Sequence, residues 1–363
     1  MLKKVLAITL STAIAVSALA GCGGSSSSSS ASAPAASGSA AASTGVEYPK
    51  MKLNMSTTVG EQSNATIVGK QFCEMLAEKS GGNIQATMYS SDQLSGGNMA
   101  KGVEMIAAGQ IDCAFEPVDV MASNIAPELL TVSLPWLFGS YDEAKEAVNT
   151  GAGFDYINAT LEAQGIEYLG AIHNGFRQLT NSKKEVKTPD DLKNMKLRVP
   201  GGEVFVKTFQ IFGCDPVSMS FSELFTALQQ GTVDGQENGY DLITTNKFYE
   251  VQSYTTDWAY SYGAFGLVFN KAKWDSFDDN TKALIEECAK EVIEVGCANV
   301  VNNEEAQKQM IIDYEGNTLT ELSEEEIQVF KDKLIEGGYY EYFLDLYGED
   351  AFNAFGAKEK FGL

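Results

Sequence analysis

Residues 188–238 read TPDDLKNMKLRVPGGEVFVKTFQIFGCDPVSMSFSELFTALQQGTVDGQEN. Here the pattern switches from Lys196–Val199, a strand, to Glu203–Phe212 and Ser220–Gln230, two helices. It then returns to a short strand at Val233–Gly235. The same alternation extends outward in both directions. Lys50–Ser56 reads as a strand, and Ser63–Glu78 as a helix capped by Ser63 or Asn64. Asn83–Tyr89 puts Ile84, Ala86 and Met88 on one face of a half-buried strand. Asn98–Ala108 is helical, and Ile111–Phe115, Ile166–Ile172 and Phe265–Asn270 are strands. Strands separated by helices of roughly 10–15 residues imply an α/β fold with mostly parallel pairing.

Thr281–Glu315 contains no proline and places Leu284, Ile285, Cys288, Val292, Val295, Val300, Met310 and Ile311 at mostly helical spacing. As one helix it would be about 52 Å long, enough to brace two lobes. The alternative is two helices broken near Gly296 or at Asn302-Asn303. Ser323–Gly356 reads as helical, acidic and aromatic.

The N-terminus has a different character. Lys3 and Lys4 precede an apolar run, Val5–Ala20, that is short for a membrane span and fits a secretory signal. It ends in Leu19-Ala20-Gly21-Cys22, which resembles the bacterial lipobox and implies cleavage after residue 21 and a lipid on the Cys22 thiol. Residues 22–46 then form the lipidated cysteine and a Ser/Gly/Ala-rich tether. Gly23–Thr44 is uncharged and, as a flexible chain, reaches about 25 Å. The expected location is extracytoplasmic, anchored to the outer face of the cell membrane, and the polyserine composition favours a Gram-positive surface over a periplasm.

Composition removes several function classes. The 363 residues carry 26 basic and 49 acidic side chains, a formal charge of −23. Neither nucleic acid nor anionic lipid headgroups suit such a chain, because both are held mainly by Lys and Arg. Five cysteines follow Cys22 at spacings that form no C-x-x-C, and His173 is the single histidine, so neither a metal site nor a cofactor is expected. Cys288 and Cys297, nine apart on one helix, would lie about 13 Å apart, and free buried thiols are expected. The chain lacks G-x-S-x-G and P-loop motifs and any nucleophile–base set, so no catalytic residue is assigned and the protein is not expected to be an enzyme.

Lysine supplies 24 of the 26 cations, and only Arg177 and Arg198 are arginines. An arginine fork binds carboxylate bidentately and stays charged. Each charge-assisted bond is worth about 1.5–3 kcal/mol, and micromolar affinity needs about 8 kcal/mol, so two arginines with supporting donors can anchor a small organic anion. Structural ion pairing is the other reading of the two positions.

Asn174-Gly-Phe-Arg177, Thr188-Pro-Asp-Asp through Leu197-Arg198-Val199-Pro200, and Ser218-Met-Ser-Phe221 through Gln236-Glu237-Asn238 together resemble the DctP family. These are the substrate-binding proteins of TRAP (tripartite ATP-independent periplasmic) transporters. Ser133–Phe138 and Phe269–Trp274 add to the resemblance, which covers Lys50 to the C-terminus. It implies a two-lobed, periplasmic-binding-protein-like α/β fold with a hinge between lobes and a long helix spanning both. Lobe I would comprise residues 47–173 and 264–303, and lobe II residues 174–263 and 304–363. It further implies that Arg198 is the main partner of a ligand carboxylate, with Arg177 the second cation and Asn238 an amide donor. Phe221 would form the dry wall, and Glu116 would meet ligand hydroxyls or amines. Two positions depart from the family pattern. Gly239-Tyr240 replaces a common proline, which would loosen the turn and place Tyr240 at the site. Thr58 stands where some sugar-acid binders carry asparagine. The anion is expected to relieve repulsion between the arginines and close the hinge, and a monomer is expected to deliver it to the TRAP membrane permease subunits. An ABC-type or other solute-binding lipoprotein would share the cleft but not the Arg198–Asn238 segment.

Overall fold

The computed structural model describes residues 46–363; the signal, lipobox and tether expectations lie outside the described residues. The strands are β1 (Met51–Ser56), β2 (Ile84–Tyr89), β3 (Cys113–Pro117), β4 (Ile166–Phe176), β5 (Gln178–Asn181), β6 (Lys196–Val199), β7 (Asp215–Ser218), β8 (Gly235–Asn238), β9 (Tyr254–Asp257), β10 (Tyr262–Asn270) and β11 (Thr318–Glu321). They form two sheets, one ordered β2-β1-β3-β10-β4 and the other β11-β9-β5-β8-β6-β7. Each sheet is the centre of one lobe. The chain passes from the first to the second between Phe176 and Gln178, and returns between Asp257 and Tyr262.

The pairing is mixed rather than mostly parallel. β10 runs antiparallel to both β3 and β4, and β5 antiparallel to both β8 and β9; the other five pairings are parallel. The cause is the double crossing: β5 and β10 each enter their sheet from the other lobe, so they do not follow the direction set by strand–helix–strand units.

Side-chain caps start the helices where the sequence places them. Ser63 accepts from Thr66 N, Asn98 from Lys101 N, and Asp278 from Thr281 N; each satisfies one of the unpaired N–H groups of a first turn. The long helix, Asp279–Asp313, is continuous. Gly296 does not break it. A Cβ there would meet Ile172 Cγ2 at 2.5 Å, so the glycine lets the helix lie against β4. Its first part buries Leu284, Ile285, Cys288 and Val292 in a core with Leu53, Phe72, Phe115 and Phe269 of the first lobe. Near its end Ile311 joins Leu224, Ile243 and Phe248 of the second. The helix therefore packs on both lobes. Among the described residues Cys73, Cys113, Cys214, Cys288 and Cys297 are buried free thiols.

Candidate functional site

The cleft between the sheets is lined from the first lobe by Thr58, Val59, Met99, Asp119, Asn174 and Phe265, at the crossing by Arg177, and from the second by Arg198, Phe221 and Asn238, among others. It is closed. About 20 Å³ is open to water, room for about one molecule. Contacts join the lobes around it: Ser222 Oγ donates to Gly97 O (2.8 Å), and Asn64 N to an Asp241 carboxylate oxygen (3.1 Å). Larger hollows of about 570 and 760 Å³ lie elsewhere on the surface and contain neither arginine.

Arg198 reaches the cleft because β6 alternates. Leu197 and Val199 enter the apolar core, and Arg198 projects from the opposite face. Its Nε and Nη2 both donate to Met219 O, at 3.1 and 2.8 Å, and its guanidinium lies 5.8 Å from the Phe221 ring centroid. Among the described residues no carboxylate comes within salt-bridge distance of it. Burial pushes its pKa down to about 10, so it remains a cation at neutral pH, 1% exposed and, among the described residues, with no carboxylate in contact.

Arg177 is the opposite case. It occupies the single residue between β4 and β5, and its guanidinium makes a bidentate pair with Glu237, Nε to Oε2 and Nη2 to Oε1, the latter at 2.8 Å. Nη2 also reaches Glu237 O (2.8 Å) and Asn238 Oδ1 (3.3 Å), and Nη1 lies 3.5 Å from Asp119 Oδ2. Burial alone would lower its pKa; Glu237 and Asp119 more than offset this and raise it. Tyr260 Oη donates to the same Glu237 carboxylate at 2.6 Å. The expected repulsion between the arginines is thus already balanced, because at Arg198 the attraction of Glu237 outweighs the repulsion of Arg177.

Asn238 lines the cleft with both ends of its amide engaged, Oδ1 by Arg177 and Nδ2 by Gln236 Oε1 (2.6 Å). Glu116 does not line it. Glu116 sits behind Thr58, whose hydroxyl is 3.1 Å from Glu116 Oε1 and 3.3 Å from Asp92 Oδ1. One hydroxyl hydrogen cannot serve two carboxylates fully. Burial first, and then the neighbouring Asp92, raise Glu116 well above the usual carboxylate range; burial takes Asp92 to about 6. Tyr240 does not reach the cleft either. At the start of the helix Tyr240–Thr245 it packs with Leu224, Ile243 and Ile311. Nor is the turn before it loose: a Cβ on Gly239 would meet Asn174 O at 2.4 Å, so the glycine is required by close contact with β4. His173 is away from the cleft, its Nδ1 2.7 Å from Tyr262 Oη and its pKa pushed down to about 4 by burial.

Two polar lining residues are not singled out in the sequence. Asn174 is 5% exposed and its Oδ1 has no hydrogen-bond partner. Asp119 accepts from Val120 N (2.9 Å) and faces Arg177. Each lies in a mostly apolar run beside a second polar residue, Asn174 next to His173 and Asp119 near Glu116, and such polar breaks are the signal the sequence offers.

Residues 55–342 match the family model described as DctP, bacterial extracellular solute-binding protein, family 7. The 2,3-diketo-L-gulonate-binding periplasmic protein YiaO of Escherichia coli (strain K12) is 30% identical over 225 residues, 62% of this chain and 67% of that protein. Two crystal structures of TRAP periplasmic solute-binding proteins superpose with a TM-score of 0.79, each covering 85% of this chain and 99% of the other. The one from Ralstonia eutropha H16, with bound (S)-2-acetolactate, is 28% identical, and the one from Shewanella oneidensis, with bound succinate, 27%. The two-sheet fold and the long helix packed on both lobes agree with this match, and the chain belongs to the DctP family of TRAP transporter solute-binding proteins, a non-enzymatic family.

Proposed function

We propose that this chain captures a small organic acid in the interlobe cleft and passes it to TRAP membrane permease subunits. Arg198 is the anchor of the ligand carboxylate. The observation that carries this reading is the contrast in charge balance: Arg177 has two carboxylates, whereas Arg198 is buried beside the cleft with none. A buried unpaired cation costs several kcal/mol, and an incoming carboxylate offsets that cost in the bound state. Phe221 closes the dry side, Asn238 and Arg177 shape the floor, and Thr58 with Glu116 behind it forms the far wall. Tyr240 acts through packing. Hinge closure between lobe I (47–173, 264–303) and lobe II (174–263, 304–363) buries the acid. The lipobox-like Leu19–Cys22 supports anchoring of the protein by a lipid on Cys22, outside the cytoplasm.

A thermal-shift panel tests the receptor reading. Hydroxy acids, sugar acids, keto acids and dicarboxylates are compared with the neutral sugars and polyols of matching size. Stabilisation by acids alone is the expected result, and stabilisation by neutral sugars in preference to acids would contradict it.

A further inference from the structure

The relatives hold both a monocarboxylate and a dicarboxylate, so kinship leaves the ligand's second functional group open. The residues of this chain narrow it. Among the described residues lining the cleft, Arg177 and Arg198 are the only cations, and no lysine is among the buried residues. Arg177 is already balanced by Glu237 and Asp119. One cation is therefore available, and it is matched by one carboxylate.

The polar groups facing it offer acceptor oxygens. Asp119 brings a carboxylate into the cleft from the first lobe. Asn174, on β4, lines it with an unpartnered Oδ1. Thr58 lines it with a hydroxyl whose one hydrogen is directed at the Asp92–Glu116 pair, which leaves its oxygen lone pairs toward an incoming donor. The remaining lining on that side is apolar: Val59, Met99, Pro117, Val120 and Phe265. A second ligand carboxylate would meet Asp119 with no cation to receive it. A hydroxyl at the same place would find acceptors.

We propose that Asp119, Asn174 and Thr58 form an acceptor wall that makes this receptor selective for hydroxy monocarboxylates over dicarboxylates of the same chain length. The proposal rests on the receptor reading and deepens it. Like charges brought together at an interface cost several kcal/mol, which sets the expected discrimination at about 100-fold.

Calorimetric titration of the wild type with three matched pairs tests it: D-erythronate against succinate, D-xylonate against glutarate, and D-gluconate against adipate. The hydroxy acid of the pair that binds is expected to bind about 100-fold more tightly than its dicarboxylate. Asp119→Asn is expected to narrow that ratio about tenfold or more, by removing the repelling charge and leaving Arg177 less balanced. A dicarboxylate binding as tightly as its partner overturns the selectivity and leaves the receptor reading standing; so does a folded Asp119→Asn protein with an unchanged ratio. Failure of all six acids, together with every acid of the thermal-shift panel, overturns both. The wild-type ratio decides the matter even if the variant does not fold.

Discussion

The two arginines differ by 21 positions in sequence and by almost everything in environment. Arg177 sits at a strand crossing with Glu237 on two of its nitrogens and Asp119 beside a third. Arg198 rests on one backbone carbonyl and an aromatic ring. Both are buried, so exposure does not distinguish them; counter-charge does. The balanced arginine ties the strand crossing to Glu237 and Asp119, and the other has no carboxylate in contact among the described residues. On the function proposed above, the first stabilises the fold and the second carries an unfavourable charge for a ligand carboxylate to neutralise.

The largest effect that can break this contrast is on stability. Removing one partner of a buried ion pair leaves the other uncompensated, at about 3–5 kcal/mol. Arg177→Met and Glu237→Gln should each lower unfolding free energy by about that much in urea titrations. A loss below about 1 kcal/mol, typical of an exposed pair, would mean that Arg177 is not structurally required.

Next in size is the geometry of the anchor. Arg198→Lys keeps the charge but loses the fork that holds Met219 O and a carboxylate together. Acid affinity should fall about tenfold or more, one to two charge-assisted bonds' worth, with unfolding unchanged. Full affinity in the lysine variant would show that Coulomb attraction alone suffices.

Smaller still is a pH effect from the opposite wall. Asp92 titrates at about 6 in the folded protein, above its ordinary 3.8. Its contribution is therefore fully present below the unfolded value and lost as pH rises through about 6. Acidifying from pH 7 to 5 should stabilise the wild type relative to Asp92→Asn by about 1–2 kcal/mol. His173, lowered to about 4, works in the opposite sense in both proteins and cancels in the difference. Identical pH profiles would show that the Asp92–Glu116 pair is not held in a raised state.

What the sequence conveyed about the site follows the same division. β6 was readable to the residue because Leu197 and Val199 alternate with Arg198 in the ordinary strand pattern. The pattern puts β8 at Val233–Gly235, whereas it runs Gly235–Asn238, with Gln236 and Glu237 fully buried. It ends β4 at Ile172, although the strand continues through His173 and Asn174 to Phe176. In both, the strand carries polar side chains inward, and a hydrophobic pattern does not report buried polar residues. The acids were harder. With 49 of them in the chain, nothing in spacing separates buried Asp119 and Glu237 from carboxylates in water. Local rules locate the long helix, but whether Gly296 is a break or a contact depends on Ile172, more than 100 residues earlier.

The claim at the centre is that Arg198, not Arg177, is the arginine whose charge awaits the ligand. Titration calorimetry of Arg198→Ala, with the acid that most stabilises the wild type, tests it most directly, alongside the variant's unfolding curve. Affinity should drop by about 100-fold or more, while unfolding free energy stays within about 1 kcal/mol of wild type or rises, because an unpaired buried charge has been removed. Acid binding within a few-fold of wild type, or a folding loss as large as that of Arg177→Met, would contradict it.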